Sequence, residues 1–389
     1  MRIAFVYPWF EKFLTNNPEL DSSLVDYFLG DFTTPPSLGI PLLKALTPDD
    51  IETVFLDDNN GDHIDYSEKY DLVAINCFTP QATRAFEISD TFRAMGTKTV
   101  MGGFFPSFME EECLKHCDSV ATGEGETTWP QILEDLRKGE LKKVYKGGSR
   151  LAPEDIPLPD RSVFYDKKGY DWEEDLIQVT RGCHYSCSMC SIPDHMGHKL
   201  RFRPIENVIA EMKTLKYENV YMADDSMFFP QRKVRDYTME LLKQMAPLNK
   251  KLFLSSSMGL KYDKELLDLM VAAGAKNFYC TLNVDPVSAR ALQGSKKEQQ
   301  MLIDLVKTLE DRDIRFFGSC GIGRDWDDDG IGDRVLDLFD KANIKTSEFF
   351  IFSPYPGSPY WNKLKKQNRI TDYTWKHYNG ATWYLSQSR

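Results

Sequence analysis

Apolar and polar positions along the chain fall into two alternating series. In the first, short apolar runs at residues 2–7, 53–56, 72–76, 98–101 and 119–121 are bounded by turn residues and read as strands. Between them, residues 38–46, 81–95, 107–116 and 127–138 repeat apolar positions every three to four residues, the period of a helix with one buried face. This α/β alternation predicts a doubly wound parallel sheet with helices on both faces. The second series has strand candidates at 175–180, 219–223, 251–256, 277–282, 314–319 and 347–352, separated by helical periods at 205–216, 231–246, 263–273, 297–311 and 330–342. Six such units predict a partial (β/α)6 barrel, since full closure takes eight, with its chemistry at the carboxyl ends of the strands.

The stretch Lys142-Lys143-Val144-Tyr145-Lys146-Gly147-Gly148 and the prolines Pro153, Pro157 and Pro159 interrupt the pattern. The expected organisation is a first domain over 1–145, a linker over 146–170, the barrel over 171–360 and a closing segment over 361–389. Composition adds bounds. At 389 residues, 42% hydrophobic and 28% charged, the chain reads as a soluble globular enzyme. A net charge of −11 without a basic stripe argues against a nucleic-acid partner. The run Arg2–Tyr7, ended by Pro8, is too brief for a signal peptide or a transmembrane segment. A cytoplasmic setting is therefore expected, in which the eight cysteines stand as thiols or metal ligands.

Cys183, Cys187 and Cys190 form a C-x-x-x-C-x-x-C loop directly after the first barrel strand. Three thiolates at this spacing can take three corners of a four-iron cluster and leave one iron open for a small ligand. A zinc knuckle is the rival, with His184, His195 or His198 as fourth ligand; the position at a strand end favours iron and sulfur. Cys113 and Cys117, beside His116, lack a second ligand pair and read as structural. Cys280 and Cys320 end later strands and read first as small buried hydrophobes.

With this loop the chain resembles the radical S-adenosylmethionine (SAM) superfamily. The resemblance implies a 4Fe-4S cluster on Cys183, Cys187 and Cys190 whose open iron binds SAM, and one-electron cleavage of SAM to methionine and a 5′-deoxyadenosyl radical. It implies SAM contacts from Tyr185 and from Met189, which stands where the family usually has an aromatic residue, and from Asp224 and Asp225 at the end of the second barrel strand. Further contacts are expected from Arg203, Ser255, Ser256 and Asn283. An electron donor such as flavodoxin or ferredoxin and a small-molecule substrate are implied partners.

Pro35-Pro36-Ser37-Leu38-Gly39-Ile40, Met101-Gly102-Gly103-Phe104-Phe105-Pro106-Ser107 and Ala121-Thr122-Gly123-Glu124-Gly125-Glu126 resemble the branch of this superfamily with an N-terminal cobalamin-binding domain. That branch holds cobalamin-dependent methyltransferases and relatives of anaerobic tetrapyrrole cyclases. If cobalamin is bound, Ser37, Leu38, Thr79, Gly102, Gly103, Phe104, Gly123 and Glu124 are the expected contacts. The D-x-H-x-x-G motif that supplies an axial histidine elsewhere is absent, as Asp62-His63 does not fit it, and cobalamin stays open at this point. The implied reaction is hydrogen abstraction followed by cobalamin-dependent methyl transfer to an unactivated carbon. The alternatives are cobalamin-independent oxidation, hydroxylation or cyclisation of a tetrapyrrole, lipid or natural-product precursor, and a non-catalytic iron–sulfur or cobalamin sensor. His377, Tyr378 and Cys320 are the candidates for direct catalytic roles.

Overall fold

The computed structural model describes residues 1–10, 37–60, 62–148, 150–167, 173–185, 187–224, 227–228, 231–256, 258 and 264–380. The first sheet comprises β1 (Arg2–Tyr7), β2 (Glu52–Asp57), β3 (Leu72–Asn76), β4 (Lys98–Gly102), β5 (Ser119–Thr122) and β6 (Val144–Lys146). All its pairings are parallel, in the order β2-β1-β3-β4-β5-β6. The order reverses between β1 and β3, which opens a crevice at the carboxyl edge, the usual ligand position in such sheets. Helices α1 (Gly39–Ala45), α2 (Ala82–Ala94), α3 (Phe104–Phe108), α4 (Glu110–His116) and α5 (Gly125–Lys138) connect the strands. The Lys142–Gly148 stretch does more than break the pattern. Val144–Lys146 pairs with β5 and supplies the edge strand, too short at three residues to show a period.

A helical turn, α6 (Ser162–Tyr165), leads into the second sheet. Its strands are β7 (Glu174–Ile177), β10 (Asn219–Met222), β11 (Lys251–Ser256), β12 (Ala275–Leu282), β13 (Arg315–Ile322) and β14 (Thr346–Ile351), parallel throughout and paired in chain order. A separate antiparallel pair, β8 (Thr180–Arg181) with β9 (Arg201–Phe202), carries the cysteine loop. The helices that follow are α7 (Ile192–Met196), α8 (Ile205–Met212), α9 (Arg232–Met245), α10 (Lys264–Ala272), α11 (Pro286–Leu292), α12 (Lys296–Glu310), α13 (Ile331–Ala342) and α14 (Pro359–Lys366).

The run 175–180, expected as one strand, is split after Ile177. Asp224 Oδ1 accepts the main-chain N–H of Val179 (3.0 Å) and Thr180 (2.5 Å), so these donors leave the barrel ladder. Strand alternation sorts the barrel layers. In β12, Phe278, Cys280 and Leu282 point outward into the core beneath the helices, while Tyr279 and Thr281 face the lumen. Helix α13 covers that core with Val335, Leu338, Phe339 and Ala342, a spacing of three, one and three that keeps one face apolar.

One face of the first sheet is covered by α2 and α4 together with residues from the far end of the chain. Phe352, Tyr360, Trp361, Leu364, Trp375 and Tyr378 share a core with Phe86, Phe92 and Phe105. Cys77, Cys113 and Cys117 are buried in that same core, and none of the eight cysteines forms a disulfide. No helix among the described residues is long and apolar enough to cross a membrane.

Candidate active site

The cysteine loop leaves the short β8–β9 ladder and is folded back by Gly182, whose φ of 87° suits glycine. A Cβ there would lie 2.6 Å from the Lys199 carbonyl oxygen and 2.8 Å from that of Gly197. The loop is fastened by Cys183 N–H to Gly197 O (3.0 Å), by Cys190 N–H to Cys187 O (3.1 Å) and, from α14, by Tyr360 N–H to Ser188 O (2.7 Å). Gly182→Ala is expected to lower stability by about 1–3 kcal/mol through backbone strain, with further loss from the clash. A wild-type denaturation midpoint and iron content in that variant would show that the loop tolerates the side chain.

Cys183, Cys187 and Cys190 all line one cavity of about 500 Å³, within the size range of small-molecule sites. Burial, with Cys183 next, pushes the Cys187 thiol up to about 11, so its thiolate needs a cation beside it. Among the described residues no three His, Cys, Asp or Glu side chains converge on a single ion. A zinc knuckle needs such convergence, whereas a 4Fe-4S cluster takes each thiolate at a different iron. The histidines lie elsewhere: His184 tilts against Tyr185 and meets Gln231, His195 is buried against Phe104, and His198 pairs with Asp194. The residues present thus fit a three-thiolate cluster.

Tyr185, Met189, Ser255 and Ser256 line this cavity, as do Tyr221, Tyr279, Thr281, Phe350 and Tyr355, which sequence reasoning missed. The lumen positions Tyr279 and Thr281 were readable from alternation in β12, where polar and apolar residues take turns. Tyr279 donates to Glu348 (2.6 Å), and Ser319 Oγ donates to the same oxygen (2.8 Å). Burial first, then Glu174 and Glu348, push Tyr221 up to about 12. Both phenols are neutral hydrogen-bonding groups at physiological pH.

Several expected SAM contacts are engaged away from this cavity. Asp224 is buried and holds the end of the first barrel strand through Val179, Thr180 N–H and Thr180 Oγ1. Arg203 is buried against Glu211 (2.6 Å) and the Gln178 carbonyl (2.8 Å), so it ties α8 to the strand end. Asn283, at a φ of 63°, donates Nδ2 to the Gly321 carbonyl (2.7 Å) and joins the ends of β12 and β13. Asp225 lies outside the described residues. The three catalytic candidates are also engaged elsewhere. Cys320 points outward into the barrel's helical core, His377 pairs with Asp372 (2.5 Å), and Tyr378 is fully buried in the first domain's core with its hydroxyl on the Asp372 carbonyl (2.8 Å).

A second cavity, of about 240 Å³, lies at the carboxyl edge of the first sheet. Ser37, Leu38, Gly102, Gly103, Phe104, Gly123 and Glu124 line it, whereas Thr79 does not: it begins a 3-10 turn, Thr79–Gln81, behind Phe78. A Cβ on Gly103, at a φ of 107°, would lie 2.7 Å from Asn76 Oδ1 and 3.0 Å from the Cys77 carbonyl oxygen. Asn76 Nδ2 in the same wall is buried with no acceptor. A bare backbone cradle and an open amide donor fit an acceptor-rich part of a ligand such as cobalamin.

The far wall of this second cavity comes from the barrel. Gln178, Arg181, His195, Met196 and Ala223 complete it, so residues flanking the cysteine loop line this cavity while the loop's cysteines line the larger one. Arg181, just before the loop, is held by Glu126 (2.5 Å) and Glu124 (3.6 Å), and Arg201, just after it, by Glu124 and the Leu151 carbonyl (2.7 Å). Burial alone would raise the Glu124 pKa; the Arg201 hydrogen bond and the Arg181 charge together bring it below the usual carboxylate range. Burial likewise pushes His195 down to about 4, which leaves its imidazole neutral.

Comparison with known families decides the assignment. Residues 177–338 match the radical SAM superfamily and residues 33–133 match the B12-binding domain. The chain carries a radical SAM domain and a B12-binding domain. Among similar proteins, the bacteriochlorophyllide d C-12(1)-methyltransferase of Chlorobaculum tepidum is 28% identical over 354 residues, covering 88% of this chain and 76% of the relative. The bacteriochlorophyllide d C-8(2)-methyltransferase of the same organism is 24% identical over 371 residues, covering 90% and 81%. In fold, the chain resembles the radical SAM methyltransferase TsrM from Kitasatospora setae with a TM-score of 0.70 at 16% identity, covering 94% of this chain and 76% of that one. As a radical SAM enzyme it acts with a reductant on a small-molecule substrate.

Proposed function

We propose that this radical SAM enzyme is a cobalamin-dependent methyltransferase acting on an unactivated carbon of a flat, largely apolar small molecule of the tetrapyrrole class. The observation that carries the reading is the common segment: one loop lends its cysteines to the larger cavity and its flanks, Arg181 and Met196, to the cradle of the B12-binding domain. When bound, the cluster and SAM supply hydrogen-atom abstraction from the substrate carbon, and cobalamin supplies the methyl group.

The chain's own residues bind, orient and exclude water. Cys183, Cys187 and Cys190 hold the cluster; Tyr185, Met189, Ser255, Ser256, Tyr221 and Tyr279 surround SAM with neutral groups. Phe350 and Tyr355 give the cavity an apolar side against which a flat substrate packs. Asn76 and the backbone of Gly102, Gly103 and Gly123 cradle cobalamin. Residues 1–145 form the cobalamin part, 146–170 the linker, 171–360 the barrel and 361–389 the closing segment, within which 381–389 lie outside the described residues. The electron comes from a donor such as flavodoxin or ferredoxin. Eight cysteines with no disulfide between them suit a reducing, cytoplasmic setting.

The similarity to enzymes named for methylating bacteriochlorophyllide d supports the substrate class. Anaerobically reconstituted protein with SAM and a low-potential reductant is expected to yield 5′-deoxyadenosine, and to keep the visible spectrum of hydroxocobalamin after desalting. Deoxyadenosine without cobalamin uptake would redirect the reading to radical oxidation or cyclisation. Absence of deoxyadenosine from fully loaded protein, with candidate tetrapyrroles present, would leave only a sensor.

A further inference from the structure

Strand alternation places a polar group beside the cysteine cavity that the cluster and SAM do not use. On β14, Phe350 lines the cavity, so Glu348, two residues before it, projects from the same lumen face. β14 is the edge strand of its sheet, and Glu348 is exposed on that open side. The register sets Ser319 of β13 directly opposite Glu348, and Tyr279, which lines the cavity, stands one strand further in. The Tyr279 hydroxyl donates to Glu348 Oε1 (2.6 Å), and Ser319 Oγ donates to the same oxygen (2.8 Å). Among the described residues no cation pairs with Glu348 and nothing donates to its Oε2.

Both hydroxyl protons of this triad are thus committed to one carboxylate oxygen. Burial first, then Glu348, raise the Tyr279 pKa, so the phenol keeps its proton. What the triad offers a bound molecule is lone pairs, on Glu348 Oε2, Tyr279 Oη and Ser319 Oγ. A ligand group that meets it has to donate; a carbonyl or carboxylate placed there would face acceptors alone. Aromatic rings flank the triad along the lumen: Tyr221 lies against Phe253 with ring centres 5.1 Å apart, and Tyr279 against Phe317 at 5.4 Å. Same-face neighbours on a strand are about 7 Å apart, so a flat ring packed on Phe350 reaches Glu348 with its rim.

We propose that Glu348, oriented by Tyr279 and Ser319, is a specificity-determining residue that accepts a hydrogen bond from an O–H or N–H group on the rim of the flat substrate. The inference rests on the proposed tetrapyrrole class of substrate and adds the rim group by which one member is told from another. A rim donor gains a hydrogen bond to a carboxylate, the stronger kind, whereas a rim acceptor leaves Oε2 desolvated and unpaired.

The test is equilibrium binding of two chlorins to the full chain reconstituted anaerobically with iron, sulfide and SAM. One chlorin carries a hydroxyethyl side chain, the other is the same chlorin oxidised to the acetyl ketone, and ring fluorescence reports both. Wild type is expected to bind the hydroxyethyl chlorin about tenfold tighter or more. In Glu348→Gln the side-chain amide puts a donor where Oε2 stood, so the preference should vanish or invert. Tyr279→Phe removes one of the two bonds that orient the carboxylate and should reduce the preference. Equal or tighter binding of the acetyl chlorin by wild type overturns the proposal and leaves the substrate class standing, whereas binding of neither chlorin overturns the substrate class and the proposal with it. A wild-type preference in Glu348→Gln overturns the proposal too. Should that variant fail to fold, an undiminished preference in Tyr279→Phe does the same.

Discussion

Cys187→Ala, reconstituted anaerobically with iron and sulfide, is expected to retain almost no intact cluster and to lose deoxyadenosine formation with it. Cys187 is the middle ligand of a loop whose ends are fixed by the β8–β9 ladder and the Cys183 N–H bond to Gly197. Among the described residues, the nearest histidine in sequence, His184, is engaged with Tyr185 and Gln231, and the other cysteines are buried in the hydrophobic cores. Changes beyond the ligands themselves cost about 10–100-fold in metal affinity, and loss of a direct thiolate exceeds that. Iron and sulfide analysis with the visible absorption band checks it. Wild-type iron content would show that a different ligand set holds the cluster.

Glu124→Gln should cost about 3–5 kcal/mol, as expected when one partner of a buried ion pair is removed. Its side chain is 3% exposed and meets both arginines that bracket the cysteine loop, so the amide would leave Arg201 without its carboxylate and Arg181 with Glu126 alone. The folded-state pKa of Glu124 lies below the ordinary value. Its stabilisation is therefore fully present above the unfolded carboxylate pKa of about 4.3 and is lost as pH falls through the lowered folded value. Denaturation midpoints of wild type and Glu124→Gln should lie far apart at pH 7 and converge in acid. A gap that stays constant with pH would mean that the charge is not its source.

Much of this architecture was legible because its periods are local. The six parallel barrel strands and the first doubly wound sheet follow from apolar runs and helical spacing, and the cysteine loop announces itself by three residue types at fixed intervals. The details that escaped are long-range. Phe350 and Tyr355 reach the cysteine cavity from the last strand and beyond, and nothing in their neighbours signals it. Tyr378 reads as a polar residue near a cavity but fills the core of a domain more than two hundred residues away in sequence. Asp224 and Arg203 have the chemistry of SAM contacts, and nearer partners take one atom of each: main-chain donors freed where the first barrel strand is cut short hold Asp224 Oδ1, and a buried glutamate on α8 holds Arg203 Nη1. Strand-end polar residues serve architecture or ligand, and only the surrounding hydrogen bonds distinguish the two.

The shared core of the first sheet sets a clock on biogenesis. Phe352, Trp361, Trp375 and Tyr378 complete the cover over α2 and β3, so the domain made first cannot finish burying one face until the last described residues emerge. Roughly 230 residues separate β6 from Tyr378, a wait of roughly 10–50 s at ~5–20 residues per second of synthesis. Through that interval Phe86, Phe92 and Phe105 stand partly uncovered on the nascent chain, a surface for a holdase chaperone to shield. The first domain produced alone should accordingly aggregate unless the C-terminal segment is supplied with it.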